Sequence, residues 1–250
     1  MNGRAYIKDI ILAEKIEEDS YLNGIAAVRY LKENGRLTLN GNLTILVGEN
    51  GTGKSTLLEG IAVAFGFNPE GGSRNYSFST NDTHSPLGEK LALTKSDYPR
   101  DGFFLRAESL YNAATYLEEL DKIKTYAPPL TPAYGGKSLH NQSHGESFLS
   151  LVQNRFRGDG LYILDEPEAA LSPKRLLTLM TEIDRLVKHN SQLIIATHSP
   201  ILMAFPGAEI LELSESGINS VKYTETEHYK ITRSFLENTE QMLKYLLEGD

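Results

Sequence analysis

A short glycine-rich segment constrains the fold of this 250-residue chain more than any other feature of its sequence. Gly48–Ser55 matches the pattern G-x-x-x-x-G-K-[ST]. It directly follows the apolar run Leu43–Val47 and opens Lys54–Phe65, in which apolar residues recur at helical spacing. A buried strand, a glycine turn and a helix are the context in which this pattern forms a phosphate-binding loop. We therefore expect an α/β fold in which a strand delivers this loop to one edge of a sheet.

The residue types of this loop are suited to binding a nucleoside triphosphate. Glycines allow several backbone N–H groups to face one anion, and the following helix adds the positive end of its dipole. We predict that Lys54 contacts the β- and γ-phosphates during catalysis and that Ser55 is a ligand of Mg²⁺. The predicted contacts to ATP are Asn50, Gly51, Thr52, Gly53, Lys54, Ser55 and Thr56.

A pair of carboxylates follows the apolar run Leu161–Leu164. We expect Asp165 to bind Mg²⁺, directly or through a water molecule, and Glu166 to polarise the water that attacks the phosphate. Hydrolysis needs both roles because phosphoryl transfer depends mainly on positioning and charge neutralisation. By itself the pair is also compatible with a solvated acidic turn. Its presence together with the glycine-rich loop favours a hydrolytic site.

Three further segments follow in a fixed order along the chain. Ser143–Glu146 precedes a predicted helix, Glu168–Ser172 follows the carboxylate pair, and Ala196–Ser199 ends another apolar run. Together with the first two motifs, this order resembles the ATP-binding cassette (ABC) ATPase superfamily. The resemblance extends over nearly the whole chain, to about Leu213. Ser143–Glu146 resembles the signature sequence of that family, and His198 resembles its switch histidine.

The resemblance implies a P-loop NTPase fold of the ABC type. That fold has a mostly parallel central sheet, an N-terminal antiparallel β subdomain and a small helical lid. We expect a single domain over residues 1–250, with the lid or insertion at about 68–142. The resemblance also implies a homodimer that forms on ATP binding, with ATP·Mg between the P-loop of one subunit and Ser143, Gly145 and Glu146 of the other. His198 and Glu166 would then support hydrolysis to ADP and phosphate.

Several residues depart from the pattern of transporter subunits. His144, Glu146 and Glu168 are more similar to RecF-like and SMC-like soluble ATPases. Glu108 lies where the family has the glutamine of its switch loop and is predicted to contact Mg²⁺ or water; the alternative is an ordinary carboxylate at the start of a helix. Two further alternatives stay open, because Ser143-x-x-Glu146 is also a generic capping box and a single histidine after a strand is often structural.

Charge and composition restrict the partners without identifying them. The formal net charge of −8 argues against a broad nucleic-acid-binding surface but leaves room for a local basic groove. The partner driven by the ATPase is therefore predicted to be another protein or DNA. The alternatives are the nucleotide-binding subunit of a membrane transporter and a P-loop kinase. No apolar run is long enough to form an intrinsic membrane segment, and Met1–Lys15 lacks the pattern of a signal peptide, so we expect a cytoplasmic protein.

Hydrophobic patterns predict alternating strands and helices elsewhere in the chain. The predicted strands are Ala5–Leu12, Ala26–Leu31, Leu161–Leu164 and Leu193–Ala196, followed by a hairpin of Glu209–Leu213 and Ser220–Tyr223. The predicted helices are Ala107–Tyr126, Glu146–Phe156, a helix beginning at Ser172-Pro173, and Arg233–Leu247; Asn68–Arg100 is predicted to be a loop-rich insertion. The histidines outside the motifs lack metal-ligand spacing and are interpreted as functionally neutral, namely His84, His140, His189 and His228.

Overall fold

A computed structural model describes residues 5–73, 85–108 and 142–248 of the chain. The strands are β1 (Ile7–Leu12), β2 (Arg36–Thr38), β3 (Leu43–Val47), β4 (Leu91–Lys95), β5 (Asp101–Arg106), β6 (Gly160–Asp165), β7 (Gln192–Ala196), β8 (Glu209–Ser214) and β9 (Gly217–Val221). The helices are α1 (Ala26–Asn34), α2 (Lys54–Phe65), α3 (Leu87–Lys90), α4 (His144–Arg155), α5 (Pro173–Lys188), α6 (Pro200–Met203), α7 (Glu227–Glu237) and α8 (Thr239–Glu248).

The strands form two sheets of different kinds. The smaller sheet is antiparallel and has the order β2-β1-β4. The larger has the order β5-β6-β7-β3-β8-β9, with parallel pairing from β5 to β8 and an antiparallel pair between β8 and β9. The predicted α/β class, with a mostly parallel central sheet and an N-terminal antiparallel subdomain, is therefore confirmed. The helical lid was predicted within residues 68–142, of which 74–84 and 109–141 lie outside the described residues.

Side chains of the central sheet alternate between two hydrophobic cores. On β6, Leu161 and Ile163 contribute to the core that includes α1 and α2, whereas Tyr162 and Leu164 contribute to the core that includes α4 and α5. Successive side chains of a strand point to opposite faces, so a strand covered by helices on both sides is apolar at every position. This requirement explains the uninterrupted apolar runs of the sequence.

The prediction of a strand at Ala26–Leu31 is wrong, because these residues begin helix α1. A short apolar run is compatible with either state, and two alanines favour the helix. Ala26, Ala27, Val28 and Leu31 are buried. The helix ends at Gly35, which has a φ of 77° and donates its N–H to the Leu31 carbonyl.

The prediction of an irregular insertion at Asn68–Arg100 is only partly correct. Within its described residues, α3 leads into β4, and β4 pairs with β1 in the antiparallel sheet. Leu91 is buried, Ala92 is exposed and Leu93 is half-buried, an alternation that is typical of a strand covered on one face. β5 also lies inside the interval 68–142, and it belongs to the central sheet. The predicted helix Ala107–Tyr126 falls almost entirely outside the described residues.

The C-terminal prediction also needs correction. The hairpin is present, but its second strand is Gly217–Val221 rather than Ser220–Tyr223. The single helix predicted at Arg233–Leu247 is two helices that meet at Asn238, and the first of them begins earlier, where the buried Thr226 caps α7 through the N–H of Tyr229. No helix formed by residues 5–73, 85–108 and 142–248 combines the length and apolarity needed to cross a bilayer.

One buried side chain joins the two sheets. Gln192, at the start of β7, accepts the N–H groups of Tyr6 and Ile7 through Oε1 at 2.7 and 2.8 Å, and donates Nε2 to the Ile7 carbonyl at 2.8 Å. All three residues are almost completely inaccessible to solvent. The amide therefore completes backbone hydrogen bonds that no water molecule at the surface can supply.

Replacing this amide is expected to weaken the fold. Gln192→Leu keeps a side chain of similar size but leaves two N–H groups and one carbonyl unpaired, so we expect a loss of about 2–4 kcal/mol in the free energy of unfolding. Urea-induced unfolding followed by circular dichroism measures this loss. Gln153→Leu, at an exposed position of α4, is the matched control. Equal stability of the two variants would contradict the structural role of Gln192.

Candidate functional site

The predicted motifs meet at one edge of the central sheet. The glycine-rich loop leaves the end of β3, Asp165 ends β6, and His198 follows β7, while Arg106 ends β5. Asp165 stands in register with both Arg106 and Ala196. Because β5, β6, β7 and β3 are successive parallel strands, their carboxyl ends form one continuous row. This is where open α/β sheets bind ligands.

The glycine-rich loop has the backbone conformation expected for an anion cradle. Gly48, Gly51 and Gly53 have φ values of 142°, 83° and 92°. At two of these positions a side chain has no space, because a Cβ atom at Gly48 would overlap the Leu213 carbonyl and one at Gly53 would overlap Ile25. Only glycine combines a readily accessible positive φ with the absence of a Cβ atom. The loop then ends at the N-terminus of α2, as the sequence predicts.

Lys54 lies folded along this loop. Its side chain is buried, and Nζ donates to the carbonyls of Gly48 and Glu49 at 2.8 and 2.9 Å. Burial lowers the pKa of Lys54, and the nearby carboxylates of Glu166, Asp165 and Glu168 oppose that change. The ammonium group is therefore held at the mouth of the loop by two carbonyl oxygens. Phosphate oxygens could take the place of these carbonyls as its hydrogen-bond acceptors.

The remaining loop residues surround this mouth. Asn50 and Gly51 are exposed at the tip, and Thr52 Oγ1 donates to the Glu49 carbonyl at 2.9 Å. Thr56 lies in the first turn of α2 and is partly buried. Their predicted contacts with ATP stay predictions.

Two of the three predicted oxygen ligands of Mg²⁺, Ser55 and Asp165, are in direct contact. Ser55 Oγ donates to Asp165 Oδ1 at 3.0 Å. Burial raises the pKa of Asp165 to about 6, and the charges of Glu166 and Glu108 act in the same direction, although Arg106 and the Ser55 hydrogen bond oppose it. A hard divalent cation fits this hydroxyl and carboxylate, and its other ligands would be phosphate and water oxygens. Glu108 is exposed just beyond β5, so its predicted Mg²⁺ contact stays a prediction.

An ion pair behind this site was not predicted from the sequence. Arg106 Nη1 contacts Glu59 Oε2 at 2.8 Å, and its Nε lies 3.4 Å from Asp165 Oδ2. Glu59 is a buried residue of α2, and its other oxygen accepts the N–H of Ser85 at 2.7 Å. A guanidinium therefore provides the counter-charge for two buried carboxylates. No sequence motif indicated that Glu59 belongs to the site, because it lies among the apolar residues of a helix.

Glu166 and His198 face each other across the site. His198 Nε2 lies 3.8 Å from Glu166 Oε1. Glu166 adopts a left-handed conformation with a φ of 48° and donates its N–H to the Ala196 carbonyl at 3.0 Å. The backbone N–H of His198 donates to Glu168 Oε1. This hydrogen bond joins the residues that follow β7 to those that follow Asp165 and Glu166. Burial and the positive charge of Lys54 lower the pKa of His198.

A second histidine contacts His198. Nε2 of His228, in the first turn of α7, lies 2.9 Å from His198 Nδ1. His228 was interpreted as functionally neutral, and its contact with His198 was not predicted from the sequence. Thirty positions separate the two residues along the chain, and sequence spacing alone gives no sign of the contact.

The signature-like segment, Ser143–Glu146, makes its side-chain contacts within itself and with Arg175 of α5. Ser143 donates its N–H and its hydroxyl to Glu146 Oε2 at 2.9 and 2.7 Å, so the capping interaction is present at the start of α4. Arg175 contacts both side chains, at 3.2 Å from Ser143 Oγ and 3.0 Å from Glu146 Oε1. A Cβ atom at Gly145 would lie 2.8 Å from the Ala170 carbonyl, which requires glycine for packing. Ser143, His144 and Glu146 are exposed to solvent.

Two family models match the chain. A model described as "AAA domain" matches residues 21–125, and one described as "AAA domain, putative AbiEii toxin, Type IV TA system" matches residues 146–204. The first covers the glycine-rich loop, and the second covers the carboxylate pair and His198. A protein of Haemophilus influenzae described as an "Uncharacterized ABC transporter ATP-binding protein" is 27% identical over 195 residues, which are 72% of this chain and 73% of that protein.

The fold also has a counterpart among solved structures. The inward-facing structure of a "putative metal-chelate type ABC transporter" is 15% identical, and the match covers 91% of this chain and 88% of that one with a TM-score of 0.50. At this identity the likeness concerns the fold. The motifs and the two AAA domain models support a P-loop ATPase, and the chain is similar to ABC-class proteins in its fold and in its Haemophilus influenzae relative.

Proposed function

We propose that this ATPase hydrolyses ATP at a site shared by two copies of the chain, and that closing and opening of the dimer acts on a partner protein or on DNA. The observation that carries the proposal is the division of the predicted groups into two places. The P-loop, Asp165, Glu166 and His198 meet at one sheet edge, whereas the side chains of Ser143 and Glu146 are exposed beside Arg175. A second copy would bring the two places together.

Each group of the sheet edge has a chemical role in this proposal. Lys54 exchanges its two carbonyl acceptors for phosphate oxygens, and the N–H groups of the loop bind the same phosphates. Ser55 and Asp165 would hold Mg²⁺, which supplies positive charge for the phosphate oxygens when it is bound. Glu166 accepts a hydrogen bond from the attacking water, and His198 donates Nε2–H towards the terminal phosphate.

The exposed segment completes the site in the partner. At the start of α4, the backbone N–H groups and the helix dipole favour an anion. The Ser143 hydroxyl donates to Glu146 in the lone protomer, so it must rotate to reach a phosphate of the other subunit. Arg175 would then balance the charge of Glu146 beside the bound nucleotide.

A second candidate function is the nucleotide-binding subunit of a membrane transporter. The description of the Haemophilus influenzae relative favours it. The ATPase chemistry is the same, and only the driven partner differs. The residues His144, Glu146 and Glu168 support the first candidate through their resemblance to soluble relatives. Filter binding to DNA, with and without ATP and at a stated salt concentration, tests whether DNA is the partner.

Complementation between two inactive variants tests the shared site. Lys54→Met removes the phosphate contact of one half-site, and Ser143→Asp keeps a good helix-capping residue while it adds a negative charge against the phosphate. Each variant alone is expected to be inactive. A mixed dimer pairs the intact P-loop of the Ser143→Asp subunit with the intact signature-like segment of the Lys54→Met subunit, so it contains one intact site, whereas neither variant can form an intact site with itself.

The rate of phosphate release measures this recovery. The mixture is expected to hydrolyse ATP well above either variant alone, and melting temperatures control for folding. An inactive mixture of the two folded variants, in which the Ser143→Asp protein still binds ATP, would contradict the shared site. Full activity of Ser143→Asp alone would contradict the role of the signature-like segment.

A further inference from the structure

The imidazole rings of His198 and His228 form a direct hydrogen bond that the proposed mechanism does not yet use. Nδ1 of His198 and Nε2 of His228 are 2.9 Å apart, and the ring centroids are separated by 5.1 Å. The outer nitrogens, Nε2 of His198 and Nδ1 of His228, are buried and have no hydrogen-bond partner among the described residues. One proton is therefore shared between the two rings. Its location determines which of the two outer nitrogens carries a hydrogen.

The shared proton decides what His198 can do. In a neutral pair one ring donates and the other accepts. If His198 donates through Nδ1, its Nε2 carries no hydrogen and cannot donate to a phosphate. If His228 donates through Nε2, His198 carries its hydrogen on Nε2. The carboxylate of Glu166, 3.8 Å from that atom, favours this second arrangement.

The position of His228 is fixed by the start of α7. Thr226, which is completely buried, caps the helix by accepting the N–H of Tyr229, and its hydroxyl donates to the Tyr223 carbonyl at 2.8 Å. The rings of Tyr223 and Tyr229 pack edge to face at 4.6 Å. These contacts hold the first turn of α7 beside the segment that follows β7.

We propose that His228 is a positioning residue of the ATPase site, which donates Nε2–H to His198 Nδ1 and thereby fixes the ring and the tautomer of His198 with Nε2–H directed to the site. This inference rests on the proposed role of His198. The arrangement has the same logic as the partners that orient functional histidines elsewhere, where a hydrogen bond to one ring nitrogen determines the state of the other. It also makes the C-terminal helix α7 part of the catalytic apparatus.

Two substitutions of His228 separate this role from packing. His228→Phe keeps a ring but removes the donor, and it is expected to lower kcat by about 10- to 100-fold, the usual cost of losing such a partner. The KM for ATP is expected to change little, because the hydrogen bond that is lost is to His198, while Lys54 and the loop keep their own contacts. His228→Gln places an amide donor near the position of Nε2 and is expected to retain kcat within about threefold. Tyr229→Phe, on the same helical turn, is the control for general damage to α7.

The effect must also depend on His198. In a His198→Ala background, His228→Phe is expected to change kcat by less than about twofold, because the residue through which it acts is absent. Steady-state phosphate release with matched melting temperatures measures all of these variants.

The outcomes distinguish the inference from the function on which it rests. Wild-type kcat in His198→Ala would overturn the proposed role of His198 itself. If His198→Ala is impaired but His228→Phe is not, only the positioning role is overturned. The same is true if His228→Phe and His228→Gln are equally slow, or if His228→Phe lowers kcat as much without His198 as with it.

Discussion

Glu166→Gln is expected to lower the rate of ATP hydrolysis by about 10²- to 10⁴-fold, the usual contribution of a positioned base. The amide is the same size as the carboxylate and leaves the left-handed backbone of residue 166 unchanged, but it is a much weaker acceptor for the proton of the attacking water. Lys54, Ser55 and Asp165 are untouched, so ATP binding is expected to persist. Bound ATP that is not hydrolysed then keeps two copies together.

Two measurements on the same sample check this result. Phosphate release gives the rate, and light scattering at micromolar concentration with ATP and Mg²⁺ is expected to show a dimer. Glu237→Gln, an exposed position on α7, is the matched control and is expected to hydrolyse ATP at the wild-type rate. A Glu166→Gln protein that binds ATP but stays monomeric would contradict the ATP-driven dimer. Unchanged hydrolysis would remove Glu166 from the mechanism.

The second large effect is expected from Lys54→Met, which should weaken ATP binding by at least about 100-fold. The ammonium group contacts two loop carbonyls. In the proposed site it exchanges them for oxygens of the β- and γ-phosphates and neutralises their charge. Methionine retains most of the apolar stem, so the fold is expected to persist. Without bound ATP the dimer of the Glu166→Gln protein should also be lost in the double variant.

Equilibrium dialysis with ATP and Mg²⁺ measures the affinity directly. Lys188→Met, on the exposed side of α5, removes a lysine of the same charge away from the site and is expected to bind ATP normally. If Lys54→Met bound ATP as tightly as Lys188→Met did, the glycine-rich loop would not be the nucleotide site.

Local patterns predicted the central part of the fold well. β3, the loop and α2 are a strand, a turn and a helix whose signals all lie within one short stretch of sequence. The wrong predictions arose where the local signal is ambiguous or weak. Ala26–Leu31 is too short a run for periodicity to separate a strand from a helix, and β4 is recognisable mainly through its pairing with β1.

The site was predictable only in its motif residues. Asp165 and His198 each follow an apolar run, and such positions converge when the runs are parallel strands. Glu59, Arg175 and His228 have no such signal, because each acquires its contact from a distant part of the chain. Packing of helices against the sheet creates these contacts, and no spacing rule within one segment contains that information.

The ion pair at Arg106 has a consequence for how the protein folds. Many metal sites are assembled from acidic side chains that repel one another until the cation arrives, and such proteins lose their structure when the metal is chelated. Here Asp165 already has the guanidinium of Arg106 beside it, and a proton can also occupy its carboxyl group. The chain can therefore fold without a divalent cation. Removing Mg²⁺ with a chelator is expected to stop ATP hydrolysis without unfolding the protein.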